Sequence, residues 1–200
     1  MEKNITSITP ENITTFRNYG FALTPVKMDK SPATKNGSWC KDWSDTELLN
    51  AKRIGVFHKD SGIQDVDFDD KNFIAHKFID MLPPTLTIGK YVDGVVIGTH
   101  KTYKIPNDEE ANRYSFPSSA NKGDKIIEIL TSTQTIIAGV DRVIINNVEP
   151  IEINPTELQM HCRLIAAFSE LYLHWPKPDS KMRDEAFLKL AGALTRETDI

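Results

Sequence analysis

The chain has 200 residues, of which 40% are apolar and 26% are charged, and its formal net charge is −4. This composition supports a globular domain with a real core and excludes a protein that is basic over its whole surface. A nucleic-acid site would have to be a local basic patch, for which the candidate is the lysine run Lys27, Lys30, Lys35 and Lys41. A solvated loop is the alternative explanation of that run, because lysines are mostly exposed.

Several classes of site and location are disfavoured by the sequence. Cys40 and Cys162 are far apart and form no C-x-x-C pair, so neither a zinc ribbon nor a disulfide framework is expected. No apolar run reaches the length of a membrane span, and no signal-peptide pattern begins the chain. We therefore expect a protein of the reducing cytoplasm that makes no membrane contact.

The first part of the chain predicts short helices between strands. Thr9 and Pro10 are typical of a helix start, and Gly20 is typical of its end. The strand candidates that follow are FALTPV, RIGVF and GIQDVDF. SDTELLNA is a candidate capped helix, and DKNFIAHKFIDML has helical apolar spacing up to Pro83 and Pro84.

The second part predicts more strands and then helices. Asp93 and Gly94 indicate a hairpin turn between TLTIGK and VVIGTHKTYKI. KIIEIL, QTIIAGV and RVIINN are further strand candidates, whereas the polar stretch NDEEANRYSFPSSANKGD predicts irregular structure. Thr156 and Gln159 have capping-box spacing at the start of a long helix, and SKMRDEAFLKLAGAL predicts a second amphipathic helix. We divide the chain into a mixed unit over 1–153 and a helical segment over 154–200, and we expect the protein to continue beyond it.

A run of acids is the first sign of chemistry. On a strand, Asp65 and Asp67 share one face, about 5.5–7 Å apart, and their repulsion favours a bound Mg²⁺ or Mn²⁺. An EF-hand calcium loop fails, because Asp70 stands where the loop needs Gly and His76 where it needs Glu. Asp69 or Asp70 is expected to cap the next helix. D-x-D is common, so taken alone this pair more often has no metal.

Two more polar residues lie inside apolar strand patterns. Glu128 is costly to bury without a partner, and a metal shared with Asp65 and Asp67 would supply one. His100 follows Gly98, which permits close approach of a ligand, and its imidazole would bind phosphate. The alternatives are a solvent-facing Glu128 and a His100 that is only a surface or packing residue.

The order of these parts resembles the archaeo-eukaryotic primase superfamily, and more closely the primase-polymerase domains of phage and plasmid replication proteins. Those domains carry D-h-D, s-x-H and h-D/E motifs, where h is hydrophobic and s is small; here they read DVD, GTH and IE. The flanking stretches GFALTPVKMDKSPATKNGSW, RIGVFHKDSGIQDVDFD, IEILTSTQTIIAG and WPKPDSKMRDEAFLKLAGAL also resemble the family. Departures are Gly98, where the small residue is usually Ser, and the ending AGV of the last strand.

The resemblance implies an α+β fold, in which an RRM-like mixed or antiparallel sheet forms the catalytic core over 1–153. The short C-terminal helical segment over 154–200 would then lead to a helicase or a further helical domain. Asp65, Asp67 and Glu128 would be the catalytic residues and would hold two Mg²⁺ or Mn²⁺ ions. The implied nucleotide-binding residues are His100, Gly98, Thr99, Lys90, Lys104 and Gln134. The implied DNA-binding residues are Lys30, Lys35, Trp39 and Lys41, with Trp43 as a further base-stacking candidate.

The function implied is that of a DNA primase and DNA polymerase, which copies single-stranded template from dNTPs or NTPs in phage or plasmid replication within a bacterial or archaeal cell. The partners implied are template, primer, nucleotide and a helicase domain. The alternative is a non-catalytic module that binds single-stranded DNA or an origin. A metal-dependent nuclease or Rep-type initiator is a third hypothesis, but the initiator normally needs paired histidines, and His-x-His is absent from this sequence.

Overall fold

The chain folds into helices packed around antiparallel strands, as seen in a computed structural model that describes residues 8–34, 42–68, 74–107, 109–119, 123–176, 182, 185 and 186. The helices are α1 (Pro10–Asn18), α2 (Asp45–Leu49), α3 (His58–Ser61), a 3₁₀ helix (Ala75–Met81) and α4 (Pro155–His174). The strands are β1 (Leu23–Val26), β2 (Arg53–Phe57), β3 (Ile63–Asp67), β4 (Leu86–Val92), β5 (Val95–Lys104), β6 (Tyr114–Pro117), β7 (Lys125–Leu130), β8 (Gln134–Gly139) and β9 (Arg142–Asn146).

The strands form two sheets. One has three strands in the order β1-β2-β8, and the other has six in the order β6-β7-β3-β5-β4-β9. Every pairing of these strands is antiparallel. The predicted α+β class is therefore confirmed.

The two faces of the six-stranded sheet bury different partners. On one face, Val66 and Ile127 pack with Leu158 and Ile165 of α4. On the other, which we call the inter-sheet face, Ile63 and other strand residues pack against the three-stranded sheet, α1 and α2. Because side chains alternate along a strand, Asp65 and Asp67 lie on the same inter-sheet face as Ile63. This face contains the candidate site.

The hairpin between β4 and β5 fixes the position of one candidate residue. Asp93 and Gly94 have φ of 49° and 84°, the left-handed values that a type I′ turn requires, so the predicted turn is confirmed. The pairing that starts here reaches Ile88 opposite His100, after an irregularity between Ile88 and Gly89. The turn thus sets which residues of β4 lie beside His100.

Helix ends follow local hydrogen-bonding chemistry. Thr9 caps α1 by accepting a hydrogen bond from the Asn12 N–H, with Pro10 in the first turn, as predicted. The predicted capping box of α4 is wrong, because the cap is Asn154, whose side chain accepts from the N–H groups of Thr156 and Glu157. Asn154 is directly followed by proline, which suits the first position of a helix. No helix among the described residues has both the length and the apolar character that crossing a bilayer needs.

Three local elements differ from the predictions. Tyr114–Pro117 forms the edge strand β6 inside the stretch predicted to be irregular, and its exposed residues give little apolar signal. His58–Ser61 forms the short helix α3, ended by Gly62 at φ 61°. The segment after Ile74 is 3₁₀ rather than α-helical.

Some predictions fall outside the described residues. The capping roles of Asp69 and Asp70 are among them, and so is most of the second amphipathic helix, of which only Met182, Glu185 and Ala186 are described. The division between 1–153 and 154–200 stays a prediction. Helix α4 nevertheless completes the core on one face of the six-stranded sheet.

Candidate active site

The three sequence motifs meet on three neighbouring strands. Asp67 of β3 pairs with Glu128 of β7 on one side and with His100 of β5 on the other. Residues directly opposite in antiparallel strands point to the same face, with Cβ atoms about 4.5–5.5 Å apart. We call Glu128, Asp67 and His100 the site row. Asp65 lies two residues before Asp67 on the same face, so the structure brings together all four residues that carry the resemblance.

Asp65 is enclosed between the two sheets. Its side chain has 0% exposure. Thr102 Oγ1 donates to Oδ1 at 2.9 Å, Thr135 Oγ1 donates to Oδ2 at 2.7 Å, and His100 Nδ1 lies 2.8 Å from Oδ2. Burial opposes ionisation of Asp65, but the charge and hydrogen bond of His100 hold its pKa below the ordinary value. Burial likewise opposes the charged form of His100, but Asp65 and Asp67 raise its pKa, so the two residues form an ion pair.

A second buried histidine supports this pair. His58 Nε2 lies 2.9 Å from Thr135 Oγ1. Because Thr135 donates its hydroxyl proton to Asp65, its oxygen accepts from His58, which places the His58 proton on Nε2. The other ring nitrogen, Nδ1, lies 3.4 Å from Thr133 Oγ1. Burial lowers the pKa of His58 to about 4, so its ring is neutral at pH 7.

Asp67 is the last residue of β3 and the one residue of that strand that is only partly buried. Its side chain is 26% exposed, and Oδ1 is 3.6 Å from His100 Nδ1. That distance is too long for a hydrogen bond and leaves an electrostatic contact. Asp67 is therefore the carboxylate of the D-x-D motif that a ligand reaches from solvent.

Glu128 has partners that the sequence did not predict. The residue is 5% exposed, and Arg113 Nη2 and Lys125 Nζ each lie 2.8 Å from its Oε1, with Ser115 Oγ donating to the same atom at 2.7 Å. Burial raises the pKa of Glu128, but Lys125, Arg113 and Ser115 together bring it below the ordinary value. The buried Glu128 carboxylate therefore has cationic side chains as its partners. Arg113 was missed because it precedes the unrecognised strand β6.

The site also has a basic side, of which the sequence analysis predicted Lys90 but missed Arg142. Arg142 of β9 pairs with Lys90 of β4, two residues from Ile88, so both cations belong to the inter-sheet face. Arg142 is 8% exposed, and its Nε has no hydrogen-bond partner among the described residues. Burial lowers the pKa of Arg142, while Asp141, Asp67 and Asp65 oppose that shift by attraction. An arginine at the start of a strand gives no sequence signal for this position, because the face depends on the register of β9.

Several predicted nucleotide-binding residues lie outside this cluster. Lys104 is four residues from His100, about 13 Å along the strand, and its Nζ pairs with Glu149 at 2.6 Å. Gln134 faces away from Asp65, since the neighbouring Thr135 faces it, and its amide donates to the Lys30 carbonyl at 2.7 Å.

The two small residues of the s-x-H motif have packing roles. A side chain at Gly98 would come within 2.9 Å of Ile79 Cδ1, so this glycine permits close packing of the 3₁₀ helix. Thr99 is buried, and its hydroxyl donates to the Ile88 carbonyl at 3.4 Å.

The predicted DNA-binding loop is described only in part. Lys30 is exposed, whereas Lys35, Trp39 and Lys41 lie outside the described residues. Trp43 is half-buried against the core between the sheets. The base-stacking prediction for the loop stays a prediction.

A divalent cation such as Mg²⁺ needs several oxygen ligands in one place, and the described part of this site offers few that are accessible. Among the described residues, no group of three or more His, Cys, Asp or Glu side chains is arranged to hold a metal ion. Asp67 and Glu128 fit one hard cation, because they stand opposite each other and Asp67 is accessible. The cation would compete with Arg113 and Lys125 for Glu128. Asp65 does not fit, since its oxygens are already taken by three donors.

Comparison with known proteins adds no family assignment. No protein-family model matches the chain, and a search of curated proteins found no match.

Proposed function

We propose that the protein is a nucleotidyltransferase, namely a DNA primase and DNA-directed DNA polymerase that copies single-stranded template. The observation that carries this proposal is the site row, in which Asp67 meets His100 and Glu128, 33 and 61 positions away in sequence, on the two strands that flank β3. The proposed fold is the RRM-like catalytic sheet of the archaeo-eukaryotic primase superfamily. The antiparallel six-stranded sheet, backed on one face by α4, supports it.

The acidic side of the site would bind the metal. Asp67 and Glu128 would hold Mg²⁺ or Mn²⁺ by their carboxylate oxygens. A divalent ion there supplies charge neutralisation for the triphosphate and activation of a primer 3′-hydroxyl. The resemblance implies two ions shared by Asp65, Asp67 and Glu128, but the three donors around Asp65 leave it out of the metal site proposed here.

The basic side of the site would bind the nucleotide. His100 is held through Nδ1, so Nε2–H is the ring donor for a phosphate oxygen. Arg142 and Lys90 add positive charge on the same face, and the Arg142 Nε has no described partner to give up. Acids on one side and cations on the other would orient a triphosphate with its phosphorus between them.

The remaining parts of the proposal concern partners and location. A template strand would follow the basic loop that includes Lys30, with bases stacked on its tryptophans. A helicase domain would follow the helical segment, and the protein would act in the cytoplasm of a bacterial or archaeal cell during phage or plasmid replication.

A non-catalytic module that holds single-stranded DNA or an origin is the second candidate. The observation that favours it is that two of the three carboxylates are already neutralised by protein groups: Asp65 by His100, and Glu128 by Arg113 and Lys125. Such a site can be stable without a metal.

The two candidates are separated by incubating the protein with an oligonucleotide template, labelled nucleotides and Mn²⁺ or Mg²⁺. Products from unprimed template indicate a primase, and extension of a supplied primer alone indicates a polymerase. Asp67→Asn is the matched inactive control. DNA binding without metal-dependent incorporation under either condition would reject the catalytic proposal and favour the binding module.

A further inference from the structure

Most of the hydrogen-bond acceptor sites of the Asp65 carboxylate are occupied by protein donors. An ionised carboxylate offers about four lone-pair sites, and the side chains of Thr102, Thr135 and His100 use three of them. With 0% exposure, Asp65 has no solvent side from which a hydrated cation could enter. A metal ion at this carboxylate would have to displace donors inside a packed interior, which leaves them unpaired at a cost.

The donors come from both sheets. Thr102 and His100 belong to β5 of the six-stranded sheet, whereas Thr135 belongs to β8 of the three-stranded sheet. His58 of α3 donates from Nε2 to the Thr135 hydroxyl oxygen. The Thr135 hydroxyl proton is therefore directed to Asp65. Asp65 is therefore held in one orientation by hydrogen bonds from both sheets.

The same contacts fix the His100 ring. Its Nδ1 lies 2.8 Å from Asp65 Oδ2, but 3.6 Å from Asp67 Oδ1. Only the first distance is a hydrogen bond, so the Nδ1 proton is committed to Asp65. The imidazole plane and the direction of Nε2 follow from that bond, in the way that a carboxylate orients a histidine behind many binding sites.

We propose that Asp65 is a positioning residue, which holds His100 so that Nε2–H faces the nucleotide phosphates, and that it is not a metal ligand. This inference rests on the proposed function, because it assumes that His100 contacts a nucleotide. It divides the D-x-D motif into one residue that orients a side chain and one that binds the cation. The two aspartates then act on different partners, and their variants should fail in different ways.

The first test is the ¹⁵N-edited spectrum of the histidines, with His100→Gln used to assign the His100 signals. A His100 Nδ1–H resonance shifted downfield by its carboxylate partner is expected in the wild type and in Asp67→Asn, and its loss or displacement is expected in Asp65→Asn. The same change in Asp67→Asn and none in Asp65→Asn would overturn the inference. This readout does not depend on enzymatic activity.

The second test is a double-mutant cycle on the affinity for a non-hydrolysable dNTP analogue in the presence of Mn²⁺. Asp65→Asn should weaken binding about tenfold, the loss expected for one charge-assisted hydrogen bond. His100→Ala should weaken it at least as much, and Asp65→Asn should add nothing in the His100→Ala background. Independent losses that multiply would overturn the positioning role.

Two outcomes separate this inference from the proposed function. A wild-type protein that binds the analogue but never incorporates nucleotide would reject the function, and the cycle would still decide the role of Asp65. A wild-type protein that binds no nucleotide would overturn both. If Asp65→Asn does not fold, Thr102→Val takes its place in the cycle, because it removes one donor from Asp65 and keeps the ion pair. We expect Thr102→Val to weaken binding of the analogue several-fold in the wild-type background and not at all in the His100→Ala background. Weaker binding in both backgrounds would contradict the inference.

Discussion

Asp65 and Asp67 are two residues apart on one strand and share one face, yet their surroundings differ. Asp65 is fully enclosed by Thr102, Thr135 and His100, whereas Asp67 is 26% exposed at the end of the strand. The difference arises in part from Thr135 of β8, which reaches Asp65 from the second sheet and is held there by His58 of α3. Residues of the same type in one motif thus take different roles according to which element packs over them.

The largest expected effect is on catalysis by the open position. Asp67→Asn should lower nucleotide incorporation about 1,000-fold or more, because a bound metal supplies several kcal/mol of transition-state stabilisation. The melting temperature should stay near that of the wild type, because the side chain is partly exposed. Asp69→Asn is the matched control, since the sequence assigns Asp69 to helix capping, and it should cost little activity. Equal losses in the two variants would show that the acidic run is divided at the wrong residue.

The enclosed position should control stability. Asp65→Ala leaves two hydroxyls and the His100 ring without their acceptor, and we expect a loss of about 3–5 kcal/mol in the free energy of unfolding. Asp67→Ala, the matched variant at the open position, should lose about 1 kcal/mol or less. Denaturant unfolding measures both values. A similar loss at the two positions would contradict the contrast between them.

The neutral His58 predicts a pH dependence of stability. Its pKa is lowered to about 4 in the folded protein and is about 6.5 in the unfolded chain, so the unfolded state binds more protons between these values. Stability contributed by His58 is therefore full above pH about 6.5 and falls as the pH drops toward 4, by up to about 3 kcal/mol. The charges of Asp65 and His100 also act on His58 and themselves depend on pH. The contribution of His58 must therefore be isolated by comparing the wild type with a variant that lacks this histidine.

His58→Gln is that variant, because glutamine can donate to Thr135 and stays neutral at every pH. Its free energy of unfolding should vary less than that of the wild type between pH 6.5 and 4. Parallel pH profiles for the two proteins would show that His58 is not held neutral by the fold.

The smallest effect is expected on the basic side of the site. Arg142→Met should weaken binding of a nucleoside triphosphate about tenfold, the loss of one charge-assisted contact. Arg17→Met is the matched control, because Arg17 pairs with Asp45 at 2.9 Å on the surface. Equal nucleotide affinities in Arg142→Met and Arg17→Met would show that Arg142 does not contact the nucleotide.

The local elements were largely predictable because they depend on neighbouring residues. The apolar strand KIIEIL, the Asp93 and Gly94 turn, and the Thr9 cap follow from period, turn chemistry and capping, and each is observed. Asp65, Asp67, Glu128 and His100 were singled out because each is polar within an apolar strand. Such a residue needs a partner wherever the strand is placed.

The partners were not predictable, because they depend on strand order and register. β3 lies between β5 and β7, neither of which follows it directly in the chain, so the sequence does not specify that Asp67 faces both Glu128 and His100. Arg142 reaches the site only through the pairing of β9 with β4. His58 lies on a single helical turn that has too few residues to give a periodic signal.

The most direct measurement of the central claim is a Mn²⁺ titration followed by electron paramagnetic resonance, carried out on the wild type, Asp65→Asn, Asp67→Asn and Glu128→Gln. Our account predicts that Asp67→Asn and Glu128→Gln each weaken Mn²⁺ binding about tenfold or more, because each removes a charged oxygen ligand. It predicts an affinity for Asp65→Asn close to that of the wild type. Mn²⁺ binding that is lost in Asp65→Asn, or kept in Asp67→Asn, would contradict the account.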